Sequence, residues 1–399
     1  MYLSKINRVL KIRNILLSAL VCVLFSSFLS ENDTSDITDS AMNLPVNIDG
    51  EIKFMNLKSA MSYYNILGVS YAVIDNNKIV DAKAVGYTSA DKTRHVDLNT
   101  LFQAGSLSKS VAAISAVKMV DLNLIDLDSD ITPLLGSLRL PNPQNFSQKI
   151  TLRKLLSMSS GFNIGGFYGY LPKDPLPTSI QIIKGEFPAM NAPVIIKNQP
   201  GKAYDYSGGG YQVVQLLSEN IMNMSVEKYS QEYLFSKLKM NRSSYLQPTD
   251  ANVAYATRST GKAFDYKWRV LPELFSAGLW STPSDLSRLI ISINKAYSNT
   301  RNQVISPAMA HEVLTKQVNT PYGLGFVVKG SDKALHYMKL GQNAGYQGWL
   351  IGLPNTKQGA VVLTNSDNGR ELAQSLVYSI AKENNWPIKG TLLDAWMVQ

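Results

Sequence analysis

The chain has 399 residues, 45% hydrophobic and 17% charged, ordinary proportions for a protein that buries a sizeable core. With 26 Gly and 17 Pro it is neither fibrous nor of low complexity, and a single cysteine excludes a disulfide framework. The formal charge of +9 includes Lys5, Arg8, Lys11 and Arg13 near the start, and no Lys/Arg cluster interleaved with aromatic residues stands out. Nucleic acid is therefore not an expected partner.

In chain order, the basic stretch to Arg13 is followed by an apolar run over residues 15–29. That is as long as the core of an export signal and shorter than the ~20 residues of a spanning helix. No clean A-x-A cleavage pattern follows, so residues 1–30 read either as a signal peptide or as an uncleaved anchor that associates with a membrane. Either way the protein is expected to be exported, to a periplasm or beyond the cell. Cys22 lies inside this run, which leaves the mature chain without a thiolate nucleophile or a Cys-ligated metal. Residues 31–50 are polar and acidic and read as a flexible lead-in to one domain over 51–399. Segments 69–74 and 78–85 are strand-like and flank Asn76 and Asn77, a hairpin signal. Residues 106–122 read as a helix, rich in Ala and apolar residues at helical spacings. The stretch from 106 to about 310 is mostly helical with Pro- and Gly-rich connections; residues 155–156, 213–217 and 286–293 are candidate helix faces. Strand character returns at 323–328, 336–340, 349–353 and 360–364, and an amphipathic helix follows from Gly369 to about Glu383. The simplest packing is an α+β fold: one antiparallel sheet from both ends of the chain, flanked by helices, with a helical region inserted.

Few chemistries remain open. His311-Glu312 begins a zinc-protease pattern, but Thr315 stands where the second histidine is needed, so no metal site and no cofactor are expected. There is no G-x-S-x-G elbow and no phosphate loop; Gly208-Gly209-Gly210 lacks the lysine and hydroxyl that would complete one. What remains is serine activated by lysine. In S-x-x-K on a helix, the amine lies one turn along on the same face as the hydroxyl. The pattern occurs eight times, from Ser89, Ser106, Ser115, Ser225, Ser236, Ser259, Ser292 and Ser379, and one copy alone is a solvated helical surface. Ser106 differs: it follows a strand-like segment and Gly105 and opens an apolar helix. Free backbone N–H groups at such a start suit a developing oxyanion.

Several segments, in order, resemble one family. LFQAGSLSKSV resembles the nucleophile segment of class C β-lactamases and the related penicillin-binding proteins, D-Ala-D-Ala carboxypeptidases and esterases. ITLRKLLSMSSGF and YDYSGGGYQVVQLL resemble their next segments, the latter holding the Tyr206-Ser207 pair. FSAGLWSTPSDLSRLI and YGLGF also fit, and MKLGQNAGYQGWLIGLPN resembles the third motif, with Lys339-Leu340-Gly341 for Lys-Thr-Gly. The resemblance implies a β-lactamase/transpeptidase-like fold and a set of roles. Ser106 would attack and be acylated, Lys109 would accept or relay its proton, and Tyr206 would be the partner base and later the acid. Lys339, Gly341 and Gly208 would sit at the substrate, and the N–H groups of Ser106 and Gln342 would form the oxyanion hole. Tyr204 lies close by, but its neighbour Asp205 does not match. Ser207, Gly209 and Gly210 read as turn-shaping.

Two positions depart from the family. Gly208 stands where class C β-lactamases have an asparagine, and Leu340 replaces the threonine. Losing an amide and a hydroxyl weakens recognition of a β-lactam more than acyl transfer itself. The expected activity is therefore an acyl-enzyme hydrolase of an amide or ester, a D-amino-acid peptidase, carboxypeptidase or esterase. A β-lactamase, or a non-catalytic binder of penicillin or cell-wall peptides, is the alternative. Substrate walls are expected from the inserted region, including residues 161–200.

Overall fold

The computed structural model describes residues 42–249, 251–300 and 304–388. The export signal or anchor expected over residues 1–30 lies outside the described residues. Among the described residues, no helix is long and apolar enough to cross a membrane.

Strands β1 (Leu44–Ile48) and β2 (Glu51–Met55) form a hairpin. Asp49 and Gly50 turn it with positive φ of 53° and 89°, the conformation of a two-residue hairpin loop. This corrects the lead-in expected over 31–50: from Leu44 onward the chain is a strand, with Leu44 and Val46 fully buried. After α1 (Leu57–Tyr63), β3 (Gly68–Asp75) and β4 (Lys78–Gly86) pair around Asn76 and Asn77, both at positive φ. The strand-like segments of the sequence fall on these two.

The central sheet has six strands in the order β4, β3, β10 (Gln358–Thr364), β9 (Tyr346–Leu353), β8 (His336–Asn343), β7 (Val327–Lys329), antiparallel throughout. The first and last parts of the chain thus meet at the β3–β10 pair. β7 is shorter than the strand expected over 323–328. Leu324 and Gly325 donate instead to the carbonyls of Val313 and Leu156, which bends the chain away from the ladder.

Between the two strand groups lie a short pair, β5 (Phe102–Gln103) with β6 (Trp280–Ser281), and the helices. These are α2 (Leu107–Asp121), α3 (Leu152–Leu156), α4 (Ser179–Lys184), α5 (Gly208–Met222), α6 (Val226–Ser230), α7 (Pro283–Tyr297) and α8 (Pro307–Leu314), with α9 (Gly369–Glu383) after the sheet. α2 is buried on almost every side, the property of a core helix rather than a surface one. It packs with α7 against the sheet face that holds Tyr337, Leu350, Val361 and Leu363. α9 lies against β9 and β10 and holds β1, through Ser375 Oγ donating to the Pro45 carbonyl (2.6 Å) and Ser379 Oγ to that of Asn43 (2.9 Å).

Candidate active site

Two glycines bring β8 against the start of α2. A Cβ on Gly341 would lie 2.2 Å from the Ala104 carbonyl oxygen, and one on Gly105 would lie 2.6 Å from the Gln342 nitrogen. Both are far below any real contact, so only glycine permits this approach, and Gly105 further needs its positive φ of 53°. The result sets Ser106, the N-cap of α2, beside the backbone of Gln342. Leu340, 40% exposed, replaces a hydroxyl on the same strand.

Around Ser106 the side chains converge. Lys109 Nζ lies 3.2 Å from Ser106 Oγ, as a helical i+3 neighbour should. Tyr206 OH donates to the same oxygen at 2.9 Å. Lys339 Nζ lies 3.5 Å from Tyr206 OH and donates to Tyr322 OH at 2.8 Å. Lys109 also donates to the Ser276 carbonyl (2.8 Å) and to Ser276 Oγ (3.0 Å). Both lysines are almost wholly buried. Burial disfavours the ammonium and pushes Lys109 down to about 7. Lys339 falls to about 8, by burial first, with the Lys109 charge adding to the fall and Tyr206 opposing it.

The structure therefore brings together Ser106, Lys109, Tyr206 and Lys339, with Gly341 and Gln342 against the turn that carries Ser106. Gly208 has a different place from the one expected. Its N–H donates to the Gly165 carbonyl (3.0 Å), so it is not a free donor. A Cβ there would meet that oxygen and Ser276 Oγ, each at 2.9 Å. The space a side chain at 208 would need is filled by Ser276. Ser207, Gly209 and Gly210 have local structural places: Ser207 Oγ accepts from the Gly210 N–H (2.9 Å) as the N-cap of α5, and the three glycines form its first turn. Tyr204 stacks on Tyr322 with ring centroids 5.6 Å apart, outside the set that touches Ser106.

Two neighbours of the buried lysines, Ser276 and Tyr322, are not singled out by the sequence, although both lie inside the matched segments FSAGLWSTPSDLSRLI and YGLGF. Their contacts span 167 and 17 residues, which no local spacing reveals. A further feature is absent from the sequence reading. Residues 262–269 interleave Lys262, Lys267 and Arg269 with Phe264, Tyr266 and Trp268. The expectation that no such cluster exists is corrected here. Phe264, Tyr266, Lys267, Trp268 and Arg269 line a common groove.

A six-stranded antiparallel sheet with the buried helix α2 on one face and a terminal helix on the other is the β-lactamase/transpeptidase fold. The family model for β-lactamase matches residues 56–384, and the chain belongs to that family, as a β-lactamase-fold hydrolase. It is 24% identical over 324 residues to the teichoic acid D-alanine hydrolase of Staphylococcus aureus, covering 80% of this chain and 75% of the relative. It superposes on an octameric penicillin-binding protein homologue from Pyrococcus abyssi with a TM-score of 0.66 and 22% identity, over 82% of this chain and 77% of the other. The D-amino acid amidase of Ochrobactrum anthropi SV3 gives 0.68 and 16%, over 82% and 98%.

Proposed function

We propose that the protein is a serine hydrolase that forms an acyl-enzyme at Ser106 with a D-aminoacyl amide or ester. The observation behind this reading is the completed valence around Lys109. At a pKa of about 7 much of the amine is neutral near pH 7, with two N–H groups and one lone pair. Two acceptors, the carbonyl and Oγ of Ser276, occupy the N–H groups. The lone pair is then left for the proton of Ser106 Oγ, 3.2 Å away. A neutral base within reach of a hydroxyl is what a serine nucleophile needs.

In the proposed reaction Lys109 takes the Ser106 proton while Oγ bonds the carbonyl carbon, and the carbonyl π pair moves onto its oxygen. The N–H groups of Ser106 and Gln342 receive that oxyanion. Collapse expels the amine or alcohol, which is protonated by Tyr206; the proton held by Lys109 restores Tyr206. Water then attacks the acyl ester, and its proton returns along the same groups to Ser106 Oγ. The buried Lys339 steadies Tyr206 and adds positive potential beside the substrate.

The preference for D-aminoacyl substrates over β-lactams rests on three points. Gly208 offers no amide, Leu340 offers no hydroxyl, and the relatives include a D-alanine hydrolase and a D-amino acid amidase. The test is intact-mass analysis after incubation with a fluorophosphonate, comparing wild type with Ser106→Ala and Ser115→Ala. One adduct on wild type and Ser115→Ala but none on Ser106→Ala is expected. An adduct that survives in Ser106→Ala, or none on the folded wild type, overturns the reading.

A further inference from the structure

One surface groove holds cations that are not buried in ion pairs. Arg258, Lys267 and Arg269 line a groove of about 1080 Å³ together with Lys173, and one acid, Asp265, lines it too. Asp265 is fully exposed and sits 3.9 Å from Arg258, a loose pair in water. The cations rest on rings instead. The Arg258 guanidinium lies 4.3 Å from the Phe264 ring centroid, Lys267 Nζ 5.0 Å from that of Tyr255, and the Arg269 guanidinium 5.1 Å from that of Tyr266. Phe264 and Tyr266 stack at 4.9 Å. Arg269 is held further by donating to Tyr266 OH (3.2 Å) and to the Gly169 carbonyl (3.0 Å). A guanidinium stacked on a ring is fixed in direction yet keeps N–H groups on its edge for an oxyanion.

Two connections tie the groove's backbone to the segments that carry Ser106 and Gly208. Gln103, three residues before Ser106, donates to the Arg269 carbonyl (2.7 Å) and accepts from Asn343, the neighbour of Gln342 (2.8 Å). Gly169 belongs to the same loop as Phe167, whose ring edge would lie 3.2 Å from a Cβ at Gly208.

We infer that this groove is a subsite for an anionic chain carried by the substrate, with repeated carboxylate or phosphodiester groups beyond the scissile bond. The inference rests on the reading of Ser106 as nucleophile. A labelled oligoanion separates the two: inorganic polyphosphate, poly-D-glutamate and a single-stranded DNA oligomer, each measured by anisotropy with the full-length protein in low and high salt. The rate of fluorophosphonate labelling of Ser106 is followed in parallel. Polyphosphate or poly-D-glutamate should bind, more weakly in high salt, and slow the labelling; the tighter of the two names the source of the oxyanion. In Arg258→Gln/Lys267→Gln, both exposed positions, affinity should fall about tenfold, with labelling in the absence of oligoanion unchanged. The subsite is overturned if neither oligoanion binds, if the double variant binds as well as wild type, if binding leaves labelling untouched, or if DNA binds more tightly than both. Absent labelling with intact, variant-sensitive binding would remove the nucleophile assignment and leave the anion groove.

Discussion

The Ser106 side and the wall of the cationic groove are built differently. Ser106 and Lys109 stand at the start of α2, whose apolar residues fill the core against β8, β9 and α5, and the glycines at 105 and 341 lock helix start and strand together. The wall comes from the segment around residues 258–270, whereas the π turn at Leu274–Gly278 and the start of α5 are buried in the core with α2. The wall is joined by hydrogen bonds and ring contacts: Gln103 to Arg269 and Arg269 to Gly169. The Ser106 side is fixed by packing density, where any added atom displaces backbone. The wall is fixed by individual polar contacts, each of which can be changed without collapsing the core. Substitutions on the first side should abolish chemistry or stability, and those on the second should tune it.

The largest effect is expected from Lys109→Met, which keeps the length and removes the base. kcat/KM for a D-aminoacyl ester should drop about a thousandfold, within the usual contribution of a positioned base, while the thermal transition stays cooperative. The same lysine sets the pH dependence. The wild-type rate should rise with pH through an apparent pKa near 7 as Lys109 loses its proton, and this limb should vanish in the variant. Stability runs in the same direction. Lys109 binds its proton less readily folded than unfolded, so from about pH 7 upward, until the unfolded lysine also deprotonates, the unfolded state holds more protons and stability rises with pH. In Lys109→Met that part of the rise should be missing from denaturant titrations at different pH. A flat wild-type rate across pH 6 to 8 would refute Lys109 as the base.

Next is Gly341→Ala. The new Cβ would fall 2.2 Å from the Ala104 carbonyl oxygen and 2.9 Å from Leu107 Cγ, and neither backbone nor core can give way cheaply. The strand must move off the turn that carries Ser106, at a cost of about 1–3 kcal/mol in stability. The Gln342 N–H moves with it, which should lower kcat about a hundredfold, the usual loss of an oxyanion donor. Urea titration and steady-state kinetics on one preparation check both; wild-type kcat with wild-type stability would remove the argument from close approach.

How much of this was legible in the sequence follows the same division. The Ser106 side was readable because its signals are local and periodic: i+3 spacing puts Lys109 by Ser106, Asn76 and Asn77 turn a hairpin, and α9 falls on Gly369–Glu383. The order of several short segments named the family before any geometry was known. The wall and the Ser276 contact were not readable, since the residues that meet there are far apart in the chain. Ser276 reaches Lys109 across 167 residues and Gln103 reaches Arg269 across 166. The hairpin at Leu44–Met55 was hidden for another reason: its polar flank reads as loop, and its buried positions acquire meaning only against α9. Gly208 was read as a missing amide, and the structure adds what the sequence does not show, that a Cβ there would meet the Gly165 carbonyl oxygen and Ser276 Oγ.

Ser276→Ala tests the part played by that Oγ and should give the smallest change. The Ser276 carbonyl stays as one acceptor for Lys109, and Oγ, the other, is lost. The protonated amine has three N–H groups to satisfy and the neutral amine two, so removing an acceptor in a buried site harms the ammonium more. The acidic limb of the rate profile should therefore move to lower pH. At the plateau the freed amine can rotate its lone pair away from Ser106, and kcat should fall about fivefold, in line with ~1 kcal/mol for one hydrogen bond. A purely structural role for Ser276 would lower stability and leave the position of the limb alone. Such a result would return Gly208 to the simpler description of a close contact and leave Lys109 oriented by the Ser276 carbonyl by itself.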